Sequence, residues 1–204
     1  LTGGTDPRTV GSGRTGGTNM LRAGGWPRAI AVAVLDLSKG AVPILIARAA
    51  DAPVEVQALA GLAAVLGSWK SVFLRFGGGR GVATGVGGMI AIAPIIILLA
   101  LPAFAIAIWS TRYVSLGSLI GTTFGAGIVV LFIGFGWLEP GWLLYVVPGL
   151  AIVWIAHWDN IQRLRAGTER RFDPGDRRAT TPPDQDPTDG QAAASDGPPG
   201  APGT

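Results

Sequence analysis

The chain has 204 residues, 49% of them hydrophobic and only 14% charged, with a formal net charge of +3. A soluble domain carries about 25% charged residues, so this composition excludes an ordinary soluble enzyme and points to the bilayer. With no Cys and a single His, it also excludes disulfides, a thiol nucleophile, an enzyme-bound thioester and a His-based zinc site. Two Tyr, and no basic stripe interleaved with stacking aromatics, argue against nucleic acid as a partner. Residues 172–204 hold two Arg against six Asp, with seven of the 15 Pro. That stretch lacks the apolar side chains to offset its ordering entropy. It reads as a disordered acidic extension following a membrane domain over 1–171.

In chain order, residues 1–25 are rich in Gly, Thr and Arg and read as a loop. The first residue is Leu1 and both Met, Met20 and Met89, are internal, so a missing N-terminal segment is expected. An apolar stretch from Trp26 to Ala47, interrupted by Asp36 and Lys39, predicts one span, and Val54–Trp69 predicts the next. A basic, Gly-rich loop follows over 70–81. The apolar run Val82–Trp109 exceeds the ~20 residues of one span and divides at Ala93-Pro94 into a short helix and a longer one. Val114–Phe135 and Leu143–Trp158 complete an all-α, polytopic integral membrane architecture of six spans. Threading the spans alternately gathers 14 of the 16 Lys and Arg on one side and leaves Arg48 alone on the other. That asymmetry predicts that the polar loops and both ends of the chain face the cytoplasm.

Three polar segments on the basic side carry the candidate chemistry. The first runs from Gly11-Ser12-Gly13 through Thr18-Asn19 to Arg22. Gly11, Gly13 and Gly16 formally match a dinucleotide fingerprint, but no strand precedes them. What remains is a loop whose backbone N–H groups can converge on an anion, with Arg22 adding charge. The second, Arg75-Phe76-Gly77-Gly78-Gly79-Arg80-Gly81-Val82-Ala83-Thr84, leads straight into a span, so unpaired N–H groups and the helix dipole both favour an anion there. It is not a Walker A loop. The third holds His157, Asn160 and Arg163, which share a broad face if the last span continues as a helix, and then Gly167-Thr168-Glu169. Asp159 and Glu169, taken alone, read as solvated charges. Asp36 and Lys39 lie one turn apart and can pair at membrane depth, where charge is costly. Each segment also has a plainer reading, as flexible loop, positive-inside cation or interfacial anchor.

Together these segments suggest a phosphorylated, partly lipidic substrate, and they resemble a family. Gly11-Ser12-Gly13 through Asn19 with Arg22, Asp36-Leu-Ser-Lys39-Gly40, Val72-Phe-Leu-Arg-Phe76 with Gly78-Gly79-Arg80-Gly81-Val-Ala-Thr84, Arg112-Tyr-Val-Ser115, and His157-x-x-Asn160-Ile-x-Arg163-Leu with Gly167-Thr-Glu169 are similar, in order and spacing, to the bacterial acyl-phosphate:glycerol-3-phosphate acyltransferases, the PlsY family. The resemblance covers about residues 6–171. It implies a seven-span enzyme of the bacterial inner membrane, the first span lying ahead of this chain, with its active-site loops in the cytoplasm. The implied reaction moves an acyl chain from acyl phosphate to the sn-1 hydroxyl of glycerol 3-phosphate, for phospholipid synthesis, without metal or cofactor.

Carried over by position, Ser12, Arg22, His157 and Asn160 would be the catalytic residues. Gly11, Gly13, Asn19, Lys39, Gly78, Gly79, Arg80, Gly81, Thr84, Arg112, Ser115, Arg163 and Glu169 would bind substrate and phosphate or order the loops. The chain departs from the family pattern at Arg14 (usually Asn), Ser68 (His), Ser71 (Pro), and Gly77 and Arg80 (both Lys). Weaker phosphate binding, or an inactive relic, is the expectation attached to those departures. The acyltransferase class with a His-x-x-x-x-Asp signature is excluded, because Gln162 stands five residues after the only His. An organic-phosphate transporter would need polar residues across several spans, and only Asp36 and Lys39 are embedded.

Overall fold

A computed structural model describes residues 6–9 and 11–172. Apart from Phe172, the expected acidic extension lies outside the described residues. Within them the chain forms seven α-helices: α1 (Gly17–Ala49), α2 (Val54–Trp69), α3 (Val82–Ile92), α4 (Pro94–Thr111), α5 (Val114–Gly134), α6 (Leu143–Ala156) and α7 (Trp158–Arg165). The apolar runs read from the sequence match these helices closely.

The described helices differ in how much of a bilayer each can span. Four helices are long and apolar enough to cross a membrane: α1, α2 continued through the turn Val72–Leu74, α4 and α5. A fifth crossing is available if α6 and α7, bent by 53°, act as one broken span. Helix α3 has 11 residues, a rise of about 16 Å, shorter than a hydrocarbon core about 30 Å thick, and α4 brings the chain back to the end of the bundle where α3 began. The sequence was right to break at Ala93, whose extended backbone (φ −160°) separates α3 from a helix opening on Pro94.

A second difference lies at the start. Residues 17–24 are helical rather than loop, and the break falls at Gly25, with φ 74°. A left-handed Gly followed two residues later by Pro27, which has no N–H to satisfy, stops one helix and starts the next. The short first piece lies back along the long one: a Cβ added at Gly17 would sit 3.5 Å from the Ala29 carbonyl oxygen.

Close packing of α1 on α3 depends on missing side chains. A Cβ at Gly40 would collide with the Thr84 carbonyl, and one at Gly87 with that of Leu37. Small residues permit such backbone approach where apolar surroundings give no hydrophobic drive to associate. Ile44, Val65, Ile96, Val129 and Tyr145 form the buried centre, and the Tyr145 hydroxyl donates to the Gly85 carbonyl at 2.8 Å. Outward-facing Ile46, Leu98, Ile106 and Val147 are exposed, as lipid-facing positions should be.

Candidate active site

The polar loops meet at one end of this bundle, and glycines fix how. Gly78 and Gly79 are buried; the Gly79 N–H donates to the Ser68 carbonyl at 3.1 Å, and a Cβ at Gly78 would come within 2.6 Å of the Ser68 and Trp69 carbonyls. The loop therefore folds back under the end of α2. It then enters α3 through Gly81, which is left-handed at φ 74°. A Cβ at Gly79 would lie 3.9 Å from Gly16, so the first and second loops touch through glycine backbone. The unpaired N–H groups at the start of α3 and the cation of Arg80 thus share one place.

Arg80 is the most telling side chain. Its Nη2 donates to Asp159 Oδ2 at 3.4 Å, a long contact, while its Nε is buried without a hydrogen-bond partner. Burial pushes the guanidinium below its ordinary pKa and Asp159 offsets this only in part, with Arg14 and Arg163 adding repulsion. A desolvated cation with so little compensation is a site prepared for an anion.

The third segment is ordered by Glu169. Its Oε1 accepts from Ser115 Oγ at 2.6 Å and Asn160 Nδ2 at 2.5 Å, and its Oε2 accepts from Arg163 Nε at 2.8 Å. Burial would raise this carboxyl's pKa, but the bonds from Ser115, Asn160 and Arg163 hold it low. The Phe172 N–H donates to the Arg112 carbonyl at 2.6 Å, so the chain after α7 runs back over the α4–α5 turn. Arg163 Nη2 also donates to Asp159 Oδ2 at 3.2 Å. Asp159 therefore bridges Arg80 and Arg163, which outweigh burial and depress its pKa. The i, i+4 spacing could have foretold the Arg163 pair. The bridge to a loop 79 residues away could not be read from spacing.

His157 and Asn160 are buried, 2% and 3% exposed. The last span does not continue straight to them, because the 53° bend falls at His157. Asn160 and Arg163 still act together through Glu169. His157 Nδ1 lies 2.8 Å from the Val153 carbonyl, which can only accept, so Nδ1 carries the proton and Nε2 keeps its lone pair. The Oδ1 of Asn160 is buried without a partner.

The other expected residues have the following neighbours. Asn19 is spent on its own loop: Nδ2 donates to the Pro7 and Arg14 carbonyls at 2.6 and 2.8 Å, and Oδ1 accepts from the Ser12 N–H at 3.1 Å. Gly11 and Gly13 are left-handed (φ 63° and 65°), and a Cβ at Gly11 would strike Asn19 Oδ1. That Cβ would also lie 3.7 Å from Arg22 Cδ, so Arg22 flanks this loop. Thr84 is buried and donates to Ser68 Oγ at 3.0 Å, within the helix packing. Lys39 pairs with Asp36 at 2.9 Å, as the spacing suggested, and its side chain is 60% exposed. Arg112 is exposed and caps α4 in a left-handed conformation (φ 61°); its carbonyl, not its charge, joins the network.

Beneath the polar end lies an apolar cavity of about 450 Å³. Its lining includes Val82 and Ala83, next after the Arg80 loop, and Val153, whose carbonyl holds His157. Met89, Leu101, Phe104 and Tyr145 line its walls. A helical membrane protein that sets an anion cradle over an apolar chamber is built to handle an amphiphile with a charged head.

The glycerol-3-phosphate acyltransferase family model matches residues 1–167. Curated glycerol-3-phosphate acyltransferases of Thermus thermophilus and Pseudomonas fluorescens are 44% and 43% identical to the chain, over 83% and 84% of its length and 83% and 88% of theirs. Two crystal structures of PlsY, an integral membrane glycerol 3-phosphate acyltransferase, superpose with TM-scores of 0.74 (glycerol 3-phosphate form) and 0.71 (lysophosphatidic acid form). They are 36% and 34% identical and cover 83% and 80% of this chain, and 83% and 82% of their own. The chain belongs to the glycerol-3-phosphate acyltransferase family, and it is an all-helical integral membrane acyltransferase of phospholipid synthesis.

Proposed function

We propose that the chain transfers an acyl group from acyl phosphate to the sn-1 hydroxyl of glycerol 3-phosphate, at the cytoplasmic face of a bacterial inner membrane. The observation that carries this reading is the buried, under-compensated Arg80 at the start of α3, above an apolar cavity. The α3 N–H groups and Arg80 would hold the glycerol phosphate, with Ser12 and Arg22 on the donor and the acyl chain in the cavity. Bringing two anions together is the difficulty. Fixed cations and backbone dipoles offset their repulsion and supply alignment.

The substrate hydroxyl oxygen attacks the acyl carbonyl carbon, the ester C–O bond forms, and the C–O bond to phosphate breaks. Inorganic phosphate departs with the electron pair. The hydroxyl proton passes to His157 Nε2 or to the substrate's own phosphate; with so good a leaving group, modest base assistance suffices. No acyl-Ser12 intermediate is needed. The basic face with 14 of 16 cations supports the cytoplasmic orientation.

The test is phosphate release from palmitoyl phosphate by the purified chain in lipid vesicles, with and without glycerol 3-phosphate, and with palmitoyl-CoA as a second donor. Release that requires glycerol 3-phosphate, fails with the CoA ester and yields 1-acyl product is the expected result. Turnover with the CoA ester alone would overturn the donor assignment, and a trapped acyl-enzyme would overturn direct transfer.

A further inference from the structure

Between Trp69 and Gly78, both tied down beneath the second loop, the chain makes a small closed turn that displays apolar side chains outward. Val72 is 72% exposed, Phe73 98% and Phe76 64%. The turn is held by its own backbone: the Leu74 and Phe76 N–H groups both donate to the Ser71 carbonyl, at 3.1 and 2.8 Å, and that of Gly77 donates to the Leu74 carbonyl at 2.9 Å. Two consecutive non-glycine residues, Arg75 (φ 52°) and Phe76 (φ 61°), are left-handed, a strained arrangement that persists only when something is gained by it. Such a display is unfavourable in water.

The level of the turn is fixed by α2. Its 16 residues rise about 24 Å, short of the roughly 30 Å hydrocarbon core, and it reaches the length of a span only with Val72–Leu74 included. Lys70, whose Nζ lies 5.1 Å from the Trp69 ring, and Arg75 bracket the apolar residues with positive charge. Apolar tips between cations at the end of a span match the headgroup and acyl boundary of an anionic bilayer.

We propose that the Ser71–Gly77 turn is an interfacial wedge: Val72, Phe73 and Phe76 sit in the acyl boundary, Lys70 and Arg75 engage anionic headgroups, and the wedge moors the adjoining Gly78–Arg80 cradle to the membrane surface. The occupant is lipid, not a soluble protein, because the turn completes a membrane span.

The chain contains no Cys, so Phe73→Cys creates a unique site for a nitroxide label. Arg165→Cys, exposed on α7, gives a water-facing reference. In the full chain, reconstituted into phosphatidylethanolamine–phosphatidylglycerol vesicles, the label at 73 should collide with oxygen more often than with a water-soluble nickel chelate. The label at 165 should show the reverse. Adding Lys70→Gln and Arg75→Gln should move the label at 73 toward water by severalfold in nickel accessibility. A label at 73 as open to nickel as the one at 165, in protein whose thermal unfolding is unchanged, would overturn the wedge and leave a soluble protein as the occupant. The depth reading needs no turnover, so it stands or falls separately from the proposed reaction.

Discussion

Arg80→Ala is expected to lower kcat/KM for glycerol 3-phosphate by about 10²–10³-fold, the loss usual when one partner of a buried charge contact to a ligand is truncated. The side chain stabilises nothing comparable in the fold. Its long bond to Asp159 and its unpartnered Nε mean that deletion relieves a desolvation cost rather than breaking a strong pair. Thermal unfolding should therefore change little or improve while activity collapses, and that split identifies a binding role. Arg80→Lys keeps the charge but gives up the planar fork, so a loss of roughly tenfold or less is expected. Steady-state kinetics with varied glycerol 3-phosphate decide the matter: if Arg80→Ala retains activity within threefold, the cradle is not at Arg80.

Glu169→Ala should produce the opposite pattern, with activity and stability lost together. Three donors converge on this carboxylate, whose side chain is 8% exposed. Removing it strands the Ser115 hydroxyl, the Asn160 amide and the Arg163 guanidinium at once. Hydrogen bonds to charged groups are each worth about 1.5–3 kcal/mol; they are not additive, and Arg163 is partly solvated, so a net loss of about 3 kcal/mol is expected. Glu169→Gln keeps an acceptor for one neighbour and should recover part of the stability. Unfolding curves in detergent, read beside turnover in vesicles, test this. An unchanged midpoint in Glu169→Ala would mean that the network does not organise the third segment.

Much of this molecule was legible before any coordinates. Val54–Trp69 has the bounds the sequence suggested, and the break at Ala93-Pro94 followed from a run too long for one span. Two turns of the backbone were not legible. Gly25 reverses a helix inside a stretch that composition alone marks as loop, and the bend at His157 lies within an unbroken apolar-to-polar transition. In the proposed site, glycine placement and cation type were the features that local pattern could show. The roles of Asn19 and Asp159 depend on partners supplied by the folded loops: the first turns out to staple its own loop, the second to couple two arginines. Local pattern speaks for neighbours along a helix and is silent about loops brought together by the bundle.

The Ser115–Glu169 bond joins residues 54 apart, and its acceptor belongs to the last described stretch that folds back onto the bundle. A chain emerging from a ribosome presents Ser12, Arg80 and Ser115 long before Glu169 exists to organise the third segment. Partly made protein already inserted in the bilayer would hold a basic, glycine-lined cradle but no assembled centre. Competence then arrives only after Glu169 has been made, so a nascent chain abandoned before that point could neither consume its substrates nor release product.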